Sequence, residues 1–563
     1  MNSTKSWRAG LAGWLVALPL CIFCLFNHDL WRPAEAREAA IAREMIEGGD
    51  WTATHLNGDI FLEKPPLYTW TLAASFKLFG YKDWAARVPV LLFTLATLAL
   101  VPALARRKLG PWGMGAAVPI LASMALFIEV NHGAMIDNGM MFFTTLAMLA
   151  FDRMDEAADD NHRAFAAWAA LFWAACGFAF LCKGGIGLLL IGSGAAIYVL
   201  VRRRWNLVFS WHWLVGAVML VAVVGPWLWA LWAKGGAEAY CIFFIKNHWQ
   251  RFTGTEGPTA AWYYYIPQIF AACAPWTLLA PFGTAELVHR SRSGDSEARR
   301  GGILWLCWVA GMFLLLSVSS GKDNQYLLPL LPPVALACAA WVDHYARDGE
   351  APGRAGRICF GIIAAFWCLA AMAAPWVPAF TMKEWSLALD AGGFVIGAGF
   401  TAALLQKTVE GDRRGILWAL AGVLVWCGFG LNWIEGPLNY SKSSVPLIEM
   451  LRADLPEGAE LIGWGLNENS EGALIFYGFK PGRAFDNPVD LVERARNGEN
   501  IALLVCAGRD ARTFPEWMRP GTTDWRPIRV KRINKRFYAL LRPVVSATMP
   551  GDDESDAQPE RKP

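Results

Sequence analysis

Charged side chains are scarce in this sequence. Asp, Glu, Lys and Arg make up 18% of its 563 residues, against about 25% in soluble globular proteins. Basic and acidic groups nearly cancel, leaving a formal net charge of +3. That balance offers no concentrated basic face, so nucleic acid is excluded as a partner. Nucleotide-binding signatures are missing as well: there is neither a Walker A loop nor a dinucleotide fingerprint. No nucleotide cofactor is expected, and an activated group would have to arrive already attached to a lipid. No internal repeat occurs. A disulfide framework is also lacking. The cysteines lie mostly inside apolar runs, as at Cys176, Cys182, Cys307, Cys338, Cys368 and Cys427, where they read as small buried hydrophobes. Cys21 and Cys24 form a CxxC without a second pair, which argues against metal or redox use.

What the chain does have is apolar mass. Hydrophobic residues reach 55%, mean hydropathy is +0.31, and there are 30 Trp and 32 Phe. An ordinary soluble enzyme and a disordered chain are both excluded. Apolar runs that are candidates to cross a bilayer number about thirteen, give or take two because a few are short. They lie near 10–26, 87–105, 114–131, 138–152, 164–181, 184–201, 211–233, 264–287, 302–319, 325–343, 358–377, 388–406 and 415–433. Alternate loops carry the positive charge: Arg106, Arg107 and Lys108; Arg202 to Arg204; Arg290, Arg292, Arg299 and Arg300; Arg354 and Arg357; Arg413 and Arg414. Lys5 and Arg8 fall on the same side, so the amino terminus is expected in the cytoplasm. No A-x-A-like cleavage site follows the first run, which reads as a retained helix.

Two regions are expected on the far side of the membrane. One is the first loop, 27–86. Its first helix would start at Pro33, carry Glu35 and Glu38 in or near its first turn and end at Gly48-Gly49. A second segment from Pro65-Pro66 to Gly80 is too short to span and reads as an interfacial helix. The other region is 435–547, after a transmembrane domain over 1–434. Helices are expected after Ser444 and over Asn487-Pro488 to Gly498. Strands are expected at 461–466, 473–479, 501–506 and 537–541, giving a small α/β domain. Residues 548–563 read as a disordered polar tail.

Five polar constellations lie at the far-side boundary, where ionisable groups are costly and commonly functional. In Asp29-Leu-Trp-Arg-Pro-Ala-Glu-Ala-Arg37, Glu35 can serve as a base or metal ligand beside the phosphate-binding guanidinium of Arg37. The alternative is a solvated helix with ordinary ion pairs. In Phe61-Leu-Glu-Lys-Pro-Pro66, Glu63 can meet a cation and Lys64 a phosphate, or the segment is simply a polar loop. Asp137, in Asn131-His-Gly-Ala-Met-Ile-Asp137, is a candidate acid that also stands where a helix cap would. Lys183 and Lys322 can reach an anionic headgroup or snorkel to the interface. In Lys246-Asn-His-Trp-Gln-Arg-Phe252, His248 can bind a metal and Arg251 a phosphate, although a lone His is more often not a ligand. Trp262-Tyr-Tyr-Tyr265 fits an interfacial aromatic belt.

At these residues the sequence resembles the polyprenyl-phosphate-dependent membrane glycosyltransferases of the GT-C fold. The likeness is to the branch containing the lipid A aminoarabinose transferase, with the protein O-mannosyltransferases more distant. That branch reads Asp-Glu-x-Arg-Tyr-Ala-Glu-Ile-x-Arg-Glu-Met in the first loop, then Gly-Asp-Trp, then Glu-Lys-Pro. Here the stretch is Ala34-Glu-Ala-Arg-Glu-Ala-Ala-Ile-Ala-Arg-Glu-Met45, then Gly49-Asp-Trp51, then Glu63-Lys-Pro65. Asp137, Lys183-Gly184, His248-Trp-Gln-Arg-Phe252, Trp262-Tyr-Tyr264, Pro275-Trp276, Lys322 and Tyr326-Leu-Leu-Pro329 follow in order. The resemblance implies a polytopic α-helical membrane protein of GT-C type with a C-terminal extramembrane α/β domain. It implies transfer of a sugar from undecaprenyl phosphate to a lipid, glycan or protein acceptor, in a bacterial inner membrane with the C-terminal domain periplasmic. By the same carry-over, Arg37, Lys64, Arg251 and Tyr326 hold the donor phosphate, with Lys183 and Lys322 as further partners. Glu63 and His248 hold a divalent metal, zinc in the aminoarabinose branch. Asp137 and the first-loop acid act on the acceptor. The sequence departs where the family Asp falls on Ala34 and the family Tyr on Glu38, so Glu35, or else Glu38, takes over the acid's role. A transporter or flippase of a lipid-linked sugar is the alternative. It predicts polar groups at mid-depth and internal repeats, whereas the charges here gather on one side.

Overall fold

The computed structural model describes residues 3–544 except 24, 33, 160, 211, 256–258, 348–352, 379–386, 483–490, 492, 495, 508–524 and 534–535. The chain divides into two compact units, Met1–Ser443 and Ser444–Pro563.

The first unit is helical because its apolar runs satisfy their backbone groups internally, as a bilayer requires. Among the described residues, eight helices are long and apolar enough to cross a membrane, or nine if one bent pair counts as a span. The sequence expectation of about thirteen is thus not reached by this measure. The run at 114–131 is two helices, Pro111–Ala122 and Ala125–Asn131, meeting at 60°. The run at 264–287 is three short pieces, Tyr265–Ala272, Trp276–Leu278 and Ala280–Ser291. Apolar composition alone does not separate a continuous span from a broken one. In the first helix, Ser3–Ile22, the apolar part Arg8–Ile22 is short for a span.

Close helix crossings depend on small residues. A Cβ on Gly311 would meet the backbone nitrogen of Gly194 at 2.6 Å, so Ser296–Val318 and Gly185–Arg202 cross nearly backbone to backbone. The buried core of this unit includes Trp276, Trp305 and Trp308. Cys176, Cys182, Cys307, Cys338, Cys368 and Cys427 are buried free thiols. Cys24 lies outside the described residues.

The first loop folds as two helices joined by a short hairpin. Glu35–Gly48 buries Ala36, Ala39, Ala40, Ile41, Ala42 and Met45, and Gly49 closes it at φ 73° with its N–H on Met45 O. Strands His55–Leu56 and Asp59–Ile60 pair antiparallel. The second helix, Leu67–Phe79, follows Pro66 and ends at Gly80. The last helix of the unit, Arg413–Lys442, continues through Gly436. The boundary expected between residues 434 and 435 therefore falls inside this helix.

The second unit has a four-stranded sheet in the order Glu460–Trp464, Ile501–Ala507, Arg536–Pro543, Trp525–Ile533. The first pair is parallel, with Leu461 opposite Ala502, and the other two are antiparallel. Helix Val445–Asp454 packs its Leu447, Ile448 and Leu451 with Leu504 and Leu540. The strand expected at 473–479 is instead part of helix Glu468–Phe476. Asn467 caps that helix on Ser470 N, with Glu468 and Glu471 in its first turn, and these end signals outweigh a short apolar run. Strand Trp525–Ile533 was not expected, because its exposed polar positions hide the alternation. The helix start at Asn487-Pro488 and the tail 548–563 lie outside the described residues.

Candidate functional site

Glu35, foremost among the first-loop acids, is fully buried. Its Oε2 accepts from the N–H groups of Trp31 and Arg32 at 3.2 and 2.8 Å. Its Oε1 accepts from Arg87 Nε at 3.1 Å and Ala134 N at 2.8 Å. Burial pushes this carboxyl up, but Arg87 and then the Ala134 N–H outweigh it and hold the group below its usual range. Arg87 also donates to the carbonyls of Leu25, His28 and Asp29. The pair ties the first loop to helix Asp83–Ala105 and to the turn before Asp137. Glu35 has four donors of its own and no face toward solvent, so it is placed to organise the site, not to meet an acceptor. Arg87 was read only as the start of an apolar run. A guanidinium inside such a run was the available signal.

A second tie flanks it. Arg32 and Glu435 form a buried ion pair, and His132 Nδ1 lies 3.8 Å from the same carboxylate oxygen.

One turn beyond Glu35, Glu38 gathers the other first-loop groups. Its Oε1 accepts from Arg37 Nη2 and from Lys64 Nζ, each at 3.1 Å. Arg37 Nη2 is also 4.0 Å from Glu63 Oε2. Burial raises the Glu38 carboxyl, and Lys64 followed by Arg37 brings it below the usual range. The rigid Pro65-Pro66 step holds Lys64 out of a helix, so its stem can reach back to Glu38. Arg37, Glu38, Glu63 and Lys64 are thus one cluster.

Asp137 opens helix Asp137–Ala157 but makes no side-chain cap. It pairs with Lys183 at the end of helix His162–Lys183. The Lys183 ammonium stands 4.1 Å from the centre of the Tyr326 ring. Asp137, Lys183 and Tyr326 form a second cluster, drawn from three separate segments. Between the clusters lies Tyr68, wholly buried. Burial raises its hydroxyl, and the charges of Glu38, Glu35 and Asp137 add to this. Its Oη has no hydrogen-bond partner among the described residues. Tyr68 lies in the segment that the sequence marks only as an interfacial helix.

His248 lies in a π-helical stretch, Cys241–Gln250. Its Nδ1 is 2.7 Å from Phe243 O. A carbonyl only accepts, so Nδ1 carries the proton and the ring presents Nε2 as its acceptor. A Cβ on Gly184 would fall on that Nε2, which places the imidazole against the Lys183-Gly184 turn. The neighbouring Asn247 donates to Leu62 O at 2.9 Å, bringing the His248 and Glu63 segments together. A carboxylate and a carbonyl-oriented imidazole suit a divalent cation as two ligands of an open site. Among the described residues, no three His, Cys, Asp or Glu converge as a metal group.

Lys322 stands apart. Its ammonium donates to Leu316 O and Ser317 O and lies 4.9 Å from the Tyr265 ring centre. It finishes the carboxyl end of helix Ser296–Val318. Arg251 begins the short helical piece Arg251–Thr253, and its side chain falls outside the described residues.

The sequence profile of the dolichyl-phosphate-mannose-protein mannosyltransferases matches residues 63–229. An undecaprenyl phosphate-alpha-4-amino-4-deoxy-L-arabinose arabinosyl transferase of Pseudomonas aeruginosa is 30% identical over 386 residues, 68% of each chain. Its counterpart in Edwardsiella ictaluri is 31% identical over 422 residues, covering 74% of this chain and 72% of that one. Among solved structures, ArnT of Cupriavidus metallidurans bound to undecaprenyl phosphate superposes with a TM-score of 0.73 at 21% identity, over 96% and 99% of the two chains. The same protein in the apo state gives a TM-score of 0.69.

Proposed function

Because this chain belongs to the family of undecaprenyl phosphate–aminoarabinose arabinosyl transferases, and so is a polyprenyl-phosphate-dependent membrane glycosyltransferase, we propose that it moves a sugar from undecaprenyl phosphate to lipid A or another envelope acceptor. The observation that carries this reading is the pair of clusters, one rich in cations and one holding Asp137, near enough to each other that Glu38 and Asp137 both act on the buried Tyr68.

In the reaction the bond from the sugar's anomeric carbon to the donor phosphate breaks, and a bond to the acceptor oxygen forms. Negative charge grows on the departing phosphate. Arg37 and Lys64 are the first cations it meets, and fixed cations in a water-poor site lower the barrier by stabilising that charge. Arg251 and Tyr326 join them by position in the sequence pattern. Lys183, already paired with Asp137, orients that carboxylate. Asp137 takes the acceptor's proton as the new bond forms. Glu63 and His248 would hold a divalent metal, which would supply Lewis-acid polarisation when bound. The reading puts the protein in a bacterial inner membrane, with amino terminus cytoplasmic and site and second unit periplasmic, following the Lys and Arg of the alternate loops.

The test is transfer from radiolabelled undecaprenyl-phosphate sugars to an envelope acceptor fraction by protein purified in detergent. Asp137→Asn is expected to lower transfer by about 10²–10⁴-fold, the size of a general-base contribution, with donor binding retained. Full activity in Asp137→Asn would reject the assignment of the base. Flipping of intact donor in liposomes without any transfer would instead identify a transporter.

A further inference from the structure

Glu38 is bonded the way a bound anion would be. One carboxylate oxygen receives a guanidinium and an ammonium, each at 3.1 Å, and the residue is 5% exposed. Two cations brought side by side at a water-poor boundary repel each other and lose hydration, a cost that a carboxylate between them offsets. A phosphate on the same two cations would need the position that Glu38 Oε1 now fills.

Resting on the reading that Arg37 and Lys64 receive the donor phosphate, we propose that Glu38 is an internal stand-in for that phosphate, displaced when the donor binds and returning when the product leaves. The need for it lies in the charge of the two ligands. The donor is a phosphodiester with one negative charge. The product, a phosphomonoester, carries about −1.5 to −2 near neutral pH. Two cations therefore hold the product more tightly than the donor, and turnover would stall on release. A tethered carboxylate competing for the same seat weakens both ligands by the same factor. It leaves their order unchanged and shortens the residence of both. Tyr68 gives the displaced carboxylate somewhere to go. Its hydroxyl is buried and lacks a partner among the described residues, and its helix, Leu67–Phe79, packs against the helix Glu35–Gly48 that carries Glu38. The structure thus holds the seated state, with Tyr68 as the waiting donor of the displaced one.

The experiment measures binding of undecaprenyl phosphate to the full chain in detergent, together with steady-state transfer. Glu38→Gln removes the competing charge and keeps the shape. Its affinity for undecaprenyl phosphate is expected to rise about tenfold or more, as for one partly buried charge pair. Donor KM and kcat are expected to fall together, because release becomes slower. Tyr68→Phe is expected to act the other way, weakening undecaprenyl phosphate several-fold. A fold lost in Glu38→Gln would be replaced by Glu38→Asp, whose carboxylate is drawn back by one methylene and should tighten binding to a smaller degree. Unchanged or weaker binding in the Glu38 variant, with Lys64→Ala still lowering affinity, overturns the stand-in and leaves the phosphate seat in place. Lys64→Ala without effect on binding overturns the seat itself, and the stand-in with it.

Discussion

Glu35 and Glu38 are three residues apart on one helix and have opposite surroundings. Glu35 is closed in by four donors, Glu38 by two cations at the edge of the site. Removing one partner of a buried pair leaves the other charge uncompensated, at about 3–5 kcal/mol. Glu35→Ala is therefore expected to destabilise the membrane unit by that amount, read as a lower Tm in detergent, with activity lost through folding. A Tm within a degree of wild type would refute the tie. The pH dependence has a definite sign. Glu35 has a folded pKa below its ordinary value of 4.5, so its contribution is complete above that value and is lost only as pH falls through the lower folded one. Unfolding on acidification should start below pH 4.5 and shift upward in Arg87→Leu.

Ala34, before Glu35, has φ 70° without being glycine. A left-handed residue with a Cβ costs roughly 1–2 kcal/mol, and the looser unfolded chain of a glycine returns part of the gain. Ala34→Gly should stabilise by roughly 0.5 kcal/mol, measurable as a small rise in Tm. A fall in Tm would show that the methyl contributes more through packing than it costs in strain.

At the scale of elements, the site is assembled where helices end. Asp137 begins one helix, Lys183 ends another, and Gly184 turns the chain at φ 72° against His248. A Cβ at Gly184 must move the imidazole, and the positive φ adds strain of its own. Gly184→Ala should lower transfer at least about tenfold, a loss of about 1.4 kcal/mol in the barrier, while the far-UV circular dichroism stays that of wild type. Wild-type turnover would mean that His248 has no fixed role there. The helix-end residues were readable in advance because Gly-Gly, Pro-Pro and charges punctuate the apolar runs. Which helix ends meet was not, since Asp137 and Lys183 are separated by a whole hairpin of helices.

For the whole molecule, the two units have separate cores, one around Trp305 and Trp308 and the other around Leu504 and Leu540. A unit with its own core is expected to fold by itself. Residues 444–563 expressed alone should melt cooperatively in the absence of detergent. A featureless melt would show that this unit depends on the helical one.

The amino-acid sequence by itself determined that this is a membrane protein of many helices with an α/β unit after them. It also marked Arg37, Glu63, Lys64, Asp137 and His248 as the groups to watch, because bilayer burial makes each such charge conspicuous. Only the tertiary structure decided what each one touches. Charge and spacing could not tell a carboxylate enclosed by Arg87 and three backbone N–H groups from one bridging two cations. That difference arises from contacts between segments far apart in the chain, and those contacts decide which acid is enclosed by donors and which is shared between two cations.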